Sequence, residues 1–309
     1  MPSPAPSREG PEGPEKSAPD TLMGVLGAAA SWLGNKGLER PRLEAEVLLA
    51  KALGLDRLRL YLEFDRPLSE EEKESFRKLL RERARGVPSA YLVGEREFHS
   101  LAFSVDPRVL IPRPETETLL EAALEVSFPV GEKGLFADVG TGSGCLAVSF
   151  LLERPGWRGW ATDLSGPALE VARANAQRHG VTQRLRLVRG DLLAPLRETV
   201  EEGSLDLVLS NPPYVERGDP GLDPDVARFE PSGALFPGPE GVEGLWRRLR
   251  EQSRPLLRPG GWLLLECAPA QAEALARSFR KGLAWKEPRT WEDLAGRPRV
   301  VGAQVAEST

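Results

Sequence analysis

Histidine, cysteine and tyrosine are scarce in this chain, at two, two and three in 309 residues. His99 and His179 are too few and too isolated for a metal site, and no metal is expected. His99 suits a hairpin, and His179 beside Gly180 suits a helix C-terminus, where a cation is favoured. Cys145 and Cys267 both sit beside apolar stretches, which reads as buried thiols of a reducing compartment. No Gly-x-Ser-x-Gly elbow and no phosphate loop ending in Gly-Lys-Ser/Thr is present. No run approaches a membrane span, and the first residues have neither a hydrophobic signal core nor the Arg-rich, acid-poor character of a transit peptide. A cytoplasmic protein without membrane contact is expected, and a monomer. The formal net charge of −5 argues against a large phosphate-binding footprint, so no direct nucleic-acid contact is expected.

What is present is ordinary globular composition, 40% hydrophobic and 28% charged, in a chain long enough for two domains. Prolines at 2, 4, 6, 11, 14 and 19 make residues 1–20 a disordered tail with no apolar face. Residues 21–90 read as a small N-terminal helical domain. Its helical spacings are Leu22, Val25 and Leu26; Leu43, Val47, Leu48 and Leu49; Phe76, Leu79 and Leu80. Ser69 and Glu72 form a capping box for the third. Residues 91–114 hold a short β-hairpin and a proline-stiffened linker. From 115 to 309, strands and helices alternate, which predicts an α/β, doubly wound, Rossmann-like sheet with right-handed crossovers.

The most informative stretch is Asn211-Pro212-Pro213-Tyr214, at the end of the apolar run Leu205–Ser210. Two prolines fix φ and stop the strand ladder, leaving stiff, extended backbone. The Pro212 carbonyl and the Asn211 side-chain oxygen are two acceptors, and Tyr214 offers a ring face. That set suits a planar NH2 on a conjugated system, either a carboxamide or the exocyclic amine of a base. Such a nitrogen is a poor nucleophile because its lone pair is delocalised, as the amide rotation barrier of roughly 18–20 kcal/mol records. Accepting both N–H bonds returns electron density to nitrogen and orients it toward an electrophile.

Upstream, the strand Leu135–Val139 runs into Gly140-Thr141-Gly142-Ser143-Gly144 and then an apolar helix. This is the layout in which a nucleotide-like ligand approaches the backbone at a helix start. A dinucleotide fingerprint requires glycine at position 145, where this chain has Cys145. The next strand ends in Asp163, placed to accept both ribose hydroxyls of an adenosine. A third ends in Gly190-Asp191-Leu192, a carboxylate and an apolar residue where adenine would lie. Capping and turn chemistry also explain each acid singly. Their recurrence at successive strand ends favours a ligand crevice along the carboxyl edge of a parallel sheet.

Asp138-Val139-Gly140-Thr141-Gly142-Ser143-Gly144 resembles the S-adenosylmethionine-binding motif of class I methyltransferases, and Asn211-Pro212-Pro213-Tyr214 their amino-methylating motif. Tyr91–Glu95 and Val109-Leu110-Ile111-Pro112-Arg113-Pro114-Glu115-Thr116-Glu117 are similar to the HemK/PrmC family of release-factor glutamine N5-methyltransferases. So are Phe229-Glu230-Pro231 with Ala234-Leu235, and Asp293-Leu294-Ala295-Gly296-Arg297. The resemblance covers about residues 21–303. It implies a class I methyltransferase domain, S-adenosylmethionine as cofactor, and methylation of the glutamine in the Gly-Gly-Gln loop of peptide chain release factors. It further implies that the N-terminal helices help recognise the protein substrate. Arg113 and Glu117 are expected either near the pocket mouth or in a linker salt bridge. Two segments depart from the family pattern: Glu266-Cys267-Ala268 stands where Glu-x-Gly is usual, and Phe236-Pro237-Gly238 replaces a glycine pair.

Adenine-N6 methylation of DNA or RNA is the nearest rival, because that amine presents the same two N–H donors. It requires base flipping and a phosphate grip, which an acidic chain with no recognisable nucleic-acid module does not offer. An inactive methyltransferase-fold scaffold has no need of an intact Asn-Pro-Pro-Tyr. A nicotinamide dehydrogenase is disfavoured by Cys145.

Overall fold

The Ser69 hydroxyl accepts the Glu72 N–H at 3.2 Å and the Glu72 carboxylate accepts the Ser69 N–H at 2.9 Å, so the expected capping box forms. The computed structural model describes residues 20–128, 131–281 and 284–307. The tail expected to be disordered lies outside them apart from Asp20, whose carbonyl accepts the Leu68 N–H at 2.9 Å. The chain divides between Gly94 and Glu95 into two compact units.

The first unit contains α1 (Leu22–Asn35), α2 (Pro41–Leu53), α3 (Arg57–Leu62), α4 (Glu70–Ala84) and α5 (Ser89–Val93). Local chemistry sets their limits: Thr21 and Asp56 cap α1 and α3, Pro41 opens α2, and Gly54 at φ 65° closes it. Leu22, Leu26, Leu48, Leu49, Phe76 and Leu80 interlock as its core; each buried leucine is worth about 2 kcal/mol. Leu43, expected inside, is 37% exposed, while Glu46 is only 3% exposed. Glu46 is tolerated because it accepts from Arg42 at 2.9 Å, from Arg57 at 2.7 Å and from the Tyr61 hydroxyl.

The second unit begins with the hairpin β1 (Glu95–Phe98) and β2 (Leu101–Ser104), turned by His99 and Ser100 at φ 48° and 59°. Then follow α6 (Glu117–Ser127), β3 (Leu135–Val139), α7 (Cys145–Glu153), β4 (Arg158–Asp163), α8 (Gly166–Arg178), β5 (Leu185–Arg189) and β6 (Leu205–Ser210). The remainder is α9 (Pro224–Phe229), α10 (Ser232–Leu235), α11 (Gly241–Ser253), β7 (Leu257–Glu266), α12 (Ala272–Arg280), β8 (Arg289–Glu292) and β9 (Pro298–Gln304).

The sheet order is β5-β4-β3-β6-β7-β9-β8. β3 to β7 are parallel, and β9 runs antiparallel to both its neighbours. Successive strand residues face opposite layers. Phe136, Leu207, Leu209 and Leu264 pack with the α6 and α7 side chains Leu120, Leu146 and Phe150, while Ala137, Val208, Leu263 and Leu265 pack with Trp246 of α11 and Leu275 of α12. This is the expected doubly wound sheet. The chain winds outward from β3 to β5 and then returns to β6 on the other side of β3, so the carboxyl ends of β3 and β6 flank the point where strand order reverses. A crevice opens at such a point.

Candidate active site

Val139 pairs with Thr162 on one side and with Ser210 on the other. The glycine turn after β3 therefore starts beside Asn211, one strand spacing away, about 4.8 Å. Gly140, Gly142 and Gly144 all have positive φ, and Gly144 is doubly constrained: a Cβ there would press on Ala172 of α8 at 3.2 Å. A Cβ on Gly140 or Gly142 meets no atom of the described residues within 4 Å, so among them these backbones face open space. Thr141 Oγ1 donates to Asp138 at 2.6 Å, and the Ser143 carbonyl accepts from the buried Asn175 amide at 2.8 Å. Asn175 also exchanges both amide bonds with Ser104, so one side chain pins the glycine turn and the hairpin together. Burial pushes the Asp138 carboxyl up to about 7.

Asp163 closes β4. Its two carboxylate oxygens accept the N–H groups of Gly142 and Ser165 at 2.9 and 2.8 Å, and each keeps a second lone pair. Asp191 is turned differently: its carboxylate pairs with Arg248, which also holds Glu240 at 2.7 Å. Leu192 beside it sits at φ 52°, half-buried against the α11 layer.

At the end of β6 the Asn211 Nδ2 donates to Thr116 Oγ1 at 3.0 Å. That leaves Oδ1 of Asn211 and the carbonyl of Pro212 as acceptors with no donor from the described residues. Both residues line a pocket of about 200 Å³ with Pro213, Tyr214 and Arg113, and its walls are apolar: Leu110, Leu222, Val226 and Leu235. The Tyr214 hydroxyl donates to Glu266 at 3.2 Å, and its carbonyl accepts from Gln271 at 3.0 Å. Burial raises the Tyr214 phenol and pushes the Glu266 carboxyl up to about 7.

Arg113 lines the pocket and donates to Glu230 at 2.6 Å, and the other Glu230 oxygen accepts the Ile111 N–H at 3.0 Å. Glu117 does not line it; its carboxylate accepts the His99 N–H at 2.9 Å and stabilises the hairpin turn instead. Thr116, Glu230, Glu266 and Asn175 are site residues to which the sequence assigned no role. Thr116 and Glu230 lie inside the family-like segments, which was the available signal. Neither departure disturbs the site. Ala268 adopts φ −65°, where glycine is not required, and the Gly238 carbonyl accepts the Gly241 N–H at 3.0 Å to close its turn. Cys145 and Cys267 are buried, and burial pushes both thiols up to about 12.

Among the described residues no group of three or more His, Cys, Asp and Glu could hold a metal. No helix among them is long and apolar enough to cross a membrane.

Residues 25–94 match the PrmC N-terminal domain and residues 116–225 the methyltransferase small domain. The chain is 43% identical to the release factor glutamine methyltransferase of Nitratidesulfovibrio vulgaris, over 94% of this chain and 97% of that protein. It is 44% identical to the enzyme of that name from Moorella thermoacetica, over 90% and 96%. The hMettl16 catalytic domain, crystallised with MAT2A 3′UTR hairpin 6, shares the fold: TM-score 0.52, 16% identity, 75% of this chain and 83% of that one. With relatives this similar along nearly their whole length, the chain belongs to the release factor glutamine methyltransferase family.

Proposed function

We propose that this enzyme transfers a methyl group from S-adenosylmethionine to the side-chain amide nitrogen of the glutamine in the Gly-Gly-Gln loop of a peptide chain release factor. One observation carries the reading. Asn211 and Pro212, whose Oδ1 and carbonyl take no donor from the described residues, line an apolar-walled pocket beside Tyr214. These two acceptors match the two N–H donors of a primary amide, and the walls around them are mostly apolar.

The glycine turn fits the cofactor, because its positive-φ backbones face open space at the start of α7. Gly140–Gly144 and Asp163 would hold it, Leu192 would flank the base, Asp191 would act with its Arg248 partner, and Asn211 would touch its methionine end. When bound, the cofactor supplies an electrophilic methyl on a sulfonium with a neutral leaving group. The protein's own residues do the rest. Asn211 and Pro212 take the two amide hydrogens, orient the nitrogen lone pair and stabilise charge that grows on nitrogen during transfer. Tyr214 packs on the amide plane. Pro213 keeps the acceptors from relaxing apart, since neither proline can rotate about φ. No general base is needed, because an N-alkylated amide cation sheds its proton to water once formed.

The N-terminal unit would contact the body of the release factor. Leu58, Leu62 and Phe64 are 69%, 70% and 55% exposed on and just after α3, an apolar grouping that a solvated helix does not need. Mass spectrometry of release factors incubated with enzyme and S-adenosylmethionine tests the assignment. The methyl should sit on the Gly-Gly-Gln glutamine and vanish when that residue is replaced. Labelling of DNA or RNA oligonucleotides, with none in release factors, would establish the adenine reading instead.

A further inference from the structure

Behind Asn211 and Tyr214 lies a buried carboxylate that the transfer does not itself use. Glu266, the last residue of β7, is fully buried. Its Oε1 accepts from the Tyr214 hydroxyl, while its Oε2 is buried with no hydrogen-bond partner among the described residues. The Thr116 hydroxyl faces this carboxylate closely enough to favour its charged form. Thr116 is itself buried, and its oxygen is occupied by the Asn211 Nδ2 donor. A threonine whose oxygen accepts one bond still has its own O–H to place, and Oε2 of Glu266 is a buried acceptor in want of a donor.

We infer that Glu266 is a positioning residue for the amide pocket: as a carboxylate it draws the O–H of Thr116 and of Tyr214, and through Thr116 it keeps Asn211 turned with Oδ1 toward the substrate. This rests on the reading of Asn211 as an acceptor given above. Protonation reverses the relay. A carboxylic acid at Glu266 donates toward Thr116 or Tyr214, the Thr116 hydrogen turns to Asn211 Oδ1, and the Asn211 amide flips. Its NH2 then faces a substrate NH2, two donors against each other, and the pocket no longer grips an amide.

The switch falls in the neutral range because the surroundings are balanced. Burial disfavours the charge and sets the group at about 7. Arg299 of β9 favours the charged form, as do Thr116 and Tyr214, whereas Glu115 opposes it. Arg299 is in turn held by Asp293 at 3.0 Å and faces Glu115 at 3.8 Å. Cys267 and Cys145 feel the same carboxylate, but both thiols remain protonated throughout this range.

The experiment has two readouts. Turnover of a folded release factor is followed from about pH 6 to 8 for the wild type, Glu266→Gln and Thr116→Val, at saturating S-adenosylmethionine. Wild-type kcat should rise through a midpoint near 7, and both variants should be about 10- to 100-fold slower at the upper end, with little pH dependence and nearly unchanged KM. A Glu266→Gln profile that superimposes on the wild type overturns the inference. Independently of any substrate, the Asn211 side-chain amide resonance should titrate in the wild type over that range and stay fixed in Glu266→Gln. A wild-type resonance that does not titrate overturns the relay even if Glu266→Gln fails to fold. A titrating resonance in an enzyme that leaves release factors unmodified supports the relay and removes the substrate assignment.

Discussion

Asn211 and Thr116, 95 residues apart in the chain, are joined by one hydrogen bond, Nδ2 to Oγ1 at 3.0 Å. The bond decides which end of a side-chain amide faces the pocket. An asparagine free to flip would present a donor half the time; in this one the nitrogen is engaged by Thr116, which leaves Oδ1 as the other end.

Asn211→Ala should therefore act on the transition state rather than on docking. Loss of one preorganised hydrogen-bond partner costs on the order of 10²–10³-fold in kcat, with little change in release-factor affinity. Tyr214→Phe keeps the ring and loses only the O–H to Glu266, so about tenfold is expected. Single-turnover kinetics under saturating cofactor and release factor measure both. Near-wild-type turnover by Asn211→Ala would falsify the role given to this motif.

Asp163→Ala should weaken S-adenosylmethionine binding by about 1.5–3 kcal/mol, the usual value of hydrogen bonds to a charged group. Some of that loss comes from the glycine turn, because the same carboxylate holds the Gly142 N–H. Calorimetry is the measurement, with nicotinamide dinucleotides as controls that should not bind. Preference for a dinucleotide would remove the cofactor assignment.

Arg113 and Glu230 form a pair in which the arginine is partly exposed and the carboxylate is 1% exposed. Arg113→Ala leaves that carboxylate buried with only the Ile111 N–H, a loss of about 3 kcal/mol, the low end for a broken buried pair. The double change Arg113→Met with Glu230→Leu should recover most of it. Urea unfolding reads both, and equal destabilisation by the single and double variants would show that the pair is not what holds these two segments.

Stability and pH are linked through the same buried acids. Asp138 and Glu266 both stand at about 7 in the fold, above their unfolded values, so the native state binds these protons more tightly. Their contribution is largest below the unfolded pKa and is lost as pH rises through about 7. Against this, Glu266→Gln should gain on the wild type by up to about 3 kcal/mol between pH 5 and 8. Denaturant melts at several pH values measure the gap, and a gap that does not change with pH contradicts the assignment. The charge that orders Asn211 would thus weaken the fold that carries it, a stability cost at a working site.

The sheet was legible because parallel strands buried on both faces read as apolar runs, and Leu135–Val139 and Leu205–Ser210 do. The glycine turn and the two-proline stop were legible because they are backbone chemistry written in residue type. The partners of the motif were not. Thr116 and Glu266 reach Asn211 and Tyr214 over 95 and 52 residues of chain, and periodicity carries no information about which side chains pair at that distance. Glu46 shows the same limit inside a helix. An acid in an apolar pattern reads as exposed, but Arg42, Arg57 and Tyr61 converge on it and Leu43 takes the solvent instead.

Glu230 reaches back 117 residues to Arg113 and 119 to Ile111, and this has a consequence for the order of events during folding. Beside the pocket, segments with the central strands β3 to β6 between them in the chain are joined. Contacts of such sequence separation are late, because the loop they close must be ordered first. A chain emerging during synthesis can therefore assemble the glycine turn and its neighbouring helices well before it can grip an amide. Cofactor binding should then appear before methyl transfer when the unfolded enzyme is allowed to refold.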